Sequence, residues 1–295
     1  MRLIARFPAL ILTLILTTLS VACASVRGGS GGVRPVVVTY RVVRGDSLRA
    51  HVFAPPSAVA LAPARADSAP HAAVLLLHGG RWNDGEPALV YDAARNFALA
   101  GFVAIAIEYR LSDSTHTPID ALEDACGAIV WARAHADSLG FAPDRVAGYG
   151  VSAGGHLAAA TVTVGCPFAA MNHGFDALAL LSPALDIEGD AHFGRLLLGR
   201  ATAVDLSPVA HGRAAMPPTM IVQGDKDTLT PLAGAQQFCL LVTATRGRCE
   251  LRVYADLGHL LTRDLAHPDG PYDPDPLARA DWLARQVEFL RSVWR

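Results

Sequence analysis

Short, mostly apolar runs alternate along this chain with longer stretches in which apolar positions recur every three or four residues. The runs lie at 73–77, 102–107, 146–149, 177–181, 220–222 and 251–254. A short run without polar alternation marks a strand buried on both faces. The stretches at 88–100, 119–138, 156–164, 232–245 and 276–293 predict helices between those strands. Strand and helix in alternation predict an α/β fold, a mostly parallel sheet with helices on both faces. Before it, two Val-rich runs at 35–41 and 48–53 flank Arg44-Gly45-Asp46 and predict a starting hairpin. Residues 55–70 form an Ala, Pro and Ser loop without periodicity. Residues 186–215 break the alternation and are expected over the strand ends as a lid or pocket wall. The expected organisation is one domain over 34–295, without internal repeats.

The N-terminal pattern differs. Arg2 and Arg6 precede an uncharged run from Pro8 to Ala22. That run is short for a bilayer span, which needs about 20 apolar residues. A basic start, a short apolar stretch and small residues predict an export signal over 1–22. Ala22-Cys23-Ala24 fits ordinary cleavage, whereas Ser20-Val21-Ala22-Cys23 resembles a bacterial lipobox with Cys23 as the lipidated residue. The Gly- and Ser-rich residues 23–33 would then be a flexible tether. The expected location is the bacterial cell envelope as a lipoprotein, with a free secreted or periplasmic protein as the alternative. Contact with a membrane is expected only through that anchor.

Composition narrows the function. The 295 residues are 52% hydrophobic and 18% charged, which excludes a disordered chain. A net charge of −2 without a basic cluster gives no reason to expect nucleic acid. The 11 histidines are scattered without metal-ligand spacing, so neither metal nor cofactor is expected.

The candidate chemistry sits where apolar runs end. Gly150-Val151-Ser152-Ala153-Gly154-Gly155-His156 follows a strand and opens a helix, the context a G-x-S-x-G nucleophile elbow requires. A serine hydroxyl of ordinary pKa needs a base and an acid partner to attack a carbonyl. The loop after 220–222 carries Asp225 and Asp227, and the loop after 251–254 carries Asp256 and then His259. Ser152, an acid and His259 thus fall at the C-terminal ends of three strands, where open α/β sheets bind ligands. Either Asp225 or Asp227 fits the acid on spacing alone. His78-Gly79-Gly80-Arg81-Trp82 follows the first buried strand. Glycines there let the backbone approach a developing oxyanion, for which Gly80, Arg81 and Ala153 are the expected N–H donors. His78 is read as structural.

Those segments, with Tyr109-Arg110-Leu111, Leu181-Ser182-Pro183, Pro217-Pro218, Gly224-Asp225-Lys226-Asp227-Thr228, Pro231 and Gly258-His259, resemble the esterase/lipase group of the α/β-hydrolase superfamily. The likeness is to the hormone-sensitive-lipase-like and bacterial acetylxylan- and feruloyl-esterase-like branches, and runs from about Tyr40 to the C-terminus. The resemblance selects Asp227 as the acid and makes Tyr109-Arg110 a structural pair beneath the site. Three positions depart from it. Arg81 stands where many relatives have a third glycine, Leu260-Leu261 replaces a common Gly-Phe, and Gln223 replaces a frequent His. The resemblance implies a serine carboxylic-ester hydrolase acting on short-chain or carbohydrate-linked acyl esters through Ser152, Asp227 and His259. A peptidase or amidase could use the same groups, although peptidase relatives often add a propeller domain. A noncatalytic binder on the same scaffold is the alternative of another class, and it should have lost one of the three residues.

Five cysteines remain to be placed. Cys23 is the lipid candidate. Cys239 on the helix at 232–245 and Cys249 at the next strand are expected to form a disulfide. Cys126 and Cys166, on the helices before and after the nucleophile strand, read as two buried thiols at different heights. Composition leaves the oligomeric state open.

Overall fold

The computed structural model describes residues 33–56, 71–166, 174–270 and 272–295. The signal, the lipobox and Cys23 lie outside them. Eight strands form one sheet in the order β1-β2-β4-β3-β5-β6-β7-β8. They are β1 (Val36–Val43), β2 (Asp46–Phe53), β3 (His71–Leu77), β4 (Val103–Ile107), β5 (Phe141–Val151), β6 (Ala177–Leu181), β7 (Thr219–Gly224) and β8 (Cys249–Tyr254). β1 pairs antiparallel with β2, and β2 with β4; every later pairing is parallel. Arg44 and Gly45, both at positive φ, close the hairpin in the sense that matches strand twist.

The helices are α1 (Tyr91–Leu99), α2 (Pro118–Ala134), α3 (Ala136–Leu139), α4 (Ala153–Thr163), α5 (Ala191–Leu196), α6 (Ala203–Leu206), α7 (Leu232–Ala244) and α8 (Pro276–Val293). Alternate residues of the central strands feed two cores. Leu75, Leu77, Leu180 and Ile221 meet α2, α4 and α7 on one face. Val74, Leu76, Leu181 and Val222 meet α1 and α8 on the other. Burial on both faces is why these strands show no polar alternation. Among the described residues, no helix is long and apolar enough to cross a membrane.

Some expectations shift. The helix expected over 119–138 breaks at His135 into α2 and α3, and Gly140 ends α3 in the left-handed region. The strand expected from 146 starts at Phe141. The cysteines correct a reading outright. Cys126 and Cys166 are disulfide-bonded, with Cα atoms 5.6 Å apart. The reading as two thiols assumed that Cys166 lay at the foot of the helix following the nucleophile. In fact α4 ends at Thr163, and Gly165 (φ 98°) turns the chain so that Cys166 meets the middle of α2. Cys239 and Cys249 are also bonded.

Residues 186–215 carry α5, α6 and a 3-10 turn at Pro208–Ala210. They are tied down at several points. Arg200 bonds Asp120 and the Thr117 hydroxyl at the start of α2. His156 Nε2 donates to Leu206 O at 2.9 Å. Phe193, buried, packs edge-on against Trp82. Ties of this kind make the segment a pocket wall.

Candidate active site

Ser152 stands between β5 and α4 with φ 51° and ψ −117°. Such a turn puts the hydroxyl above the sheet edge and brings neighbouring backbone close. A Cβ on Gly150 would lie 2.5 Å from Gly154 O, and one on Gly154 would lie 2.2 Å from Leu77 O. Only hydrogen fits at either place. Ser152 N donates to Leu181 O at 3.0 Å, which pins the turn to the adjacent strand. The next residue, Ala153, opens α4, where first-turn N–H groups have no intrahelical acceptor and the helix dipole favours negative charge.

His259 Nε2 lies 3.0 Å from Ser152 Oγ, and His259 Nδ1 lies 2.9 Å from Asp227 Oδ2. A carboxylate only accepts, so Nδ1 carries the proton and Nε2 is left to accept from the serine. Asp227 is buried and well bonded: Oδ1 accepts the N–H groups of Leu229 (3.0 Å) and Thr230 (2.9 Å). Gln223, fully buried on β7, donates from Nε2 to Asp227 Oδ2 at 2.8 Å and to Thr230 O at 2.7 Å. The Thr230 hydroxyl lies within reach of both Asp227 Oδ2 (2.8 Å) and Ser182 O (3.1 Å) and can donate to one. Asp225 points elsewhere. Its Oδ1 accepts the Asp256 N–H at 2.7 Å and so holds the start of the histidine loop. Asp256 contributes that N–H; its carboxylate makes no bond to His259.

The loop after β3 is held from below. His78 Nδ1 donates to Gly79 O at 2.6 Å, and the Tyr109 hydroxyl donates to His78 O at 2.8 Å beneath stacked rings. Arg110 grips Asp124 through Nε (2.7 Å) and Nη2 (2.9 Å). Gly80 has φ 123°, and a Cβ there would lie 2.0 Å from Asp84 O. Arg81 and Trp82 continue at positive φ. Trp82 Nε1 donates to His156 Nδ1 at 3.1 Å, while His156 Nε2 donates to Leu206. One neutral imidazole thereby joins the Gly-rich loop, α4 and the pocket wall. Burial holds both His78 and His156 down to about 4.

A cavity of about 810 Å³ collects these groups: Gly79, Gly80, Arg81, Ser152 and His259 all line it. Arg81 crosses its mouth to Asp269, Nη1 to Oδ2 at 3.1 Å. Among the described residues, no group of His, Cys, Asp and Glu could hold a metal ion. The arrangement can therefore activate a hydroxyl, accept its proton and surround a carbonyl oxygen with backbone N–H groups. Spacing and strand order pointed to Ser152, Asp227, His259 and the Gly80 loop. Gln223, Thr230, Trp82 and Asp269 were not singled out as part of the site. Trp82 and Asp269 join it through contacts across the fold, whereas Gln223 and Thr230 reach Asp227 from four and three residues away through the turn after β7.

Comparison with known proteins adds a second line. The prolyl oligopeptidase family model matches residues 122–292, and the BD-FAE model matches 60–168. The esterase LipC of Mycobacterium tuberculosis is 30% identical over 200 residues, 57% of this chain and 47% of that protein. An arylesterase of Saccharolobus solfataricus is 38% identical over 91 residues, 30% of this chain and 29% of that one. The matches span less than half the length of each of the curated relatives. In the solved structures, a thermophilic esterase of Thermogutta terrifontis with butyrate bound superposes with a TM-score of 0.75 at 28% identity, covering 88% of this chain and 94% of that one.

Proposed function

This chain belongs to the prolyl oligopeptidase family within the α/β hydrolases, and on that premise we propose that it is a serine carboxylic-ester hydrolase. The carrying observation is the unbroken line from Ser152 Oγ through His259 to Asp227, at 3.0 and 2.9 Å, on the wall of a cavity shared with the Gly80 loop. The names of its relatives, esterases and carboxylic ester hydrolases, support the same reading.

In this mechanism His259 takes the Ser152 proton as Oγ bonds to the ester carbonyl carbon. The carbonyl electron pair moves to oxygen, which the N–H groups of Gly80, Arg81 and Ala153 stabilise. Asp227, held by Gln223 and the 229–230 N–H groups, orients His259 and offsets its charge. As the tetrahedral carbon collapses, the C–O bond to the leaving alcohol breaks and His259 protonates that oxygen. Water repeats the cycle on the acyl-enzyme and returns the proton to Ser152. Short-chain or carbohydrate-linked acyl esters are the proposed substrates, the former suited to a cavity of about 810 Å³.

Hydrolysis of p-nitrophenyl acetate and butyrate by wild type and Ser152→Ala tests the reading. The variant should lose about a thousandfold or more of kcat and all fluorophosphonate labelling. Equal rates in the two proteins would overturn it. The family match to prolyl oligopeptidases favours one rival, an amide-cleaving enzyme with the same residues. Matched p-nitroanilides decide, since an esterase should leave them nearly untouched. The proposed location is outside the cytoplasm, with Cys23 carrying lipid. The two disulfides support export, because such bonds persist in oxidising compartments. Mass spectrometry of the mature N-terminus checks the lipid.

A further inference from the structure

The loop that carries His259 bears a conformational cost at two successive leucines. Leu260 has φ 54° and ψ 25°, and Leu261 follows at φ 62°. Neither side chain can make the local polar bond that lets Asn or Asp tolerate this region. Leu261 has an ordinary account, for it is fully buried in the core beside α8. Leu260 is only half-buried. Its N–H donates to Ser182 Oγ at 3.1 Å, a backbone bond that glycine would make equally well. What glycine would lack is the side chain.

That side chain stands on a partition. Leu260 lines the catalytic cavity and also a second cavity of about 180 Å³, bounded by Thr262, Asp264, His267 and Asp273. His259, Pro268, Gly270 and Tyr272 border both spaces too. At the rim of the smaller space His267 Nδ1 lies 2.9 Å from Asp264 Oδ2. We propose that Leu260 is a specificity-determining residue: its side chain stands between the catalytic cavity and this side cavity and limits the bulk of the acyl group that the enzyme accepts. Leu260 also packs against the core beside α8, but only partly, and its side chain lies on the cavity wall next to His259, where backbone strain points to a role at the site. The inference rests on the ester-hydrolase reading above. It adds that branched or extended acyl groups are disfavoured by the Leu260 side chain.

Leu260→Gly removes both the partition and the strain, whereas Leu260→Ala removes the partition alone. The readout is the ratio of kcat/KM for p-nitrophenyl pivalate and 3-hydroxybutyrate to that for the acetate. In both variants at least one ratio should rise about tenfold, the discrimination that one or two methylenes give in a pocket. Leu260→Gly should also melt about 3 °C higher than Leu260→Ala. Unchanged ratios in two variants with native circular dichroism overturn the proposal. So does a uniform loss of activity with Ser152 still labelled by a fluorophosphonate, which would make Leu260 a support for His259. Absence of labelling in the wild type would instead sink the hydrolase reading itself, and this inference with it.

Discussion

Ser152 and Leu260 both have a positive φ, 51° and 54°, with ψ −117° and 25°, and the two loops accommodate it differently. At the elbow the residue at positive φ is the proposed nucleophile, and its neighbours yield. Gly150 and Gly154 have no Cβ, and none would fit. At the histidine loop the functional residue lies outside the left-handed region, and the two leucines after it carry the departure. Each such residue costs about 1–2 kcal/mol, against a typical domain stability of about 5–15 kcal/mol. The surroundings must hold both loops, and a disulfide fixes the far end of the element that adjoins each. Cys126–Cys166 ties the chain beyond α4 to α2, and Cys239–Cys249 ties α7 to the start of β8. Backbone crowding thus leaves a motif in the sequence, whereas strain borne for a side chain leaves none.

The sharpest way to break the comparison is Gly154→Ala. Its methyl would overlap the Leu77 carbonyl, and backbone must move. Kinetic assays should show a loss of about 100-fold or more in kcat, the effect of moving a reacting group by about 1 Å. Thermal unfolding should show destabilisation of about 3 kcal/mol. Activity close to wild type would mean that the elbow is not tightly closed.

The braces come next. Loop-closure entropy makes the 40-residue Cys126–Cys166 bridge worth about 4 kcal/mol and the 10-residue Cys239–Cys249 bridge about 3 kcal/mol. Paired Cys→Ser variants in urea should follow that order. The reverse order would show that native-state strain, and not chain entropy, governs them.

Acid should weaken the elbow side. His78 and His156 are buried and neutral, held to about 4 by desolvation against an ordinary 6.5. Between pH 6.5 and 4 the unfolded chain binds protons at both sites and the folded chain does not. Stability is therefore full above about 6.5 and falls as pH drops towards 4, by up to about 3 kcal/mol per histidine. Urea midpoints at pH 7 and pH 5 measure this, and a His156→Gln variant should show a shallower fall. A flat midpoint in wild type would refute it. The smallest effect belongs to the other loop. Leu260→Gly should be about 1 kcal/mol more stable than Leu260→Ala in the same urea assay, because glycine relieves the positive φ while both variants lose the leucine's packing.

Much of the site was legible in the sequence because its constraints are local. Glycines around Ser152, the Gly79-Gly80 pair and the acidic loop after β7 mark places where backbone comes close or turns sharply. Asp227 was separated from Asp225 only by family likeness. The structure supplies the physical ground, since Asp225 spends its carboxylate on the Asp256 N–H. Gln223 carried no interpretable signal, because its partner is a side chain whose position depends on how the following turn folds back. Cys126 and Cys166 were misjudged for a similar reason. Helix direction was inferred correctly, but the length of α4 and the turn at Gly165 set the height at which Cys166 arrives.

Hydrophobic periodicity and the order of its interruptions determined the strands, the helices and the parallel sheet, since burial on one or two faces acts residue by residue. Tertiary structure decided what meets across the sheet's end. There Ser152, Asp227 and His259 come within hydrogen-bond distance from three strands, His156 links three segments, and Leu260 divides one space from another. Those outcomes depend on distances between residues far apart in the chain, and the local pattern around each residue carries no record of them.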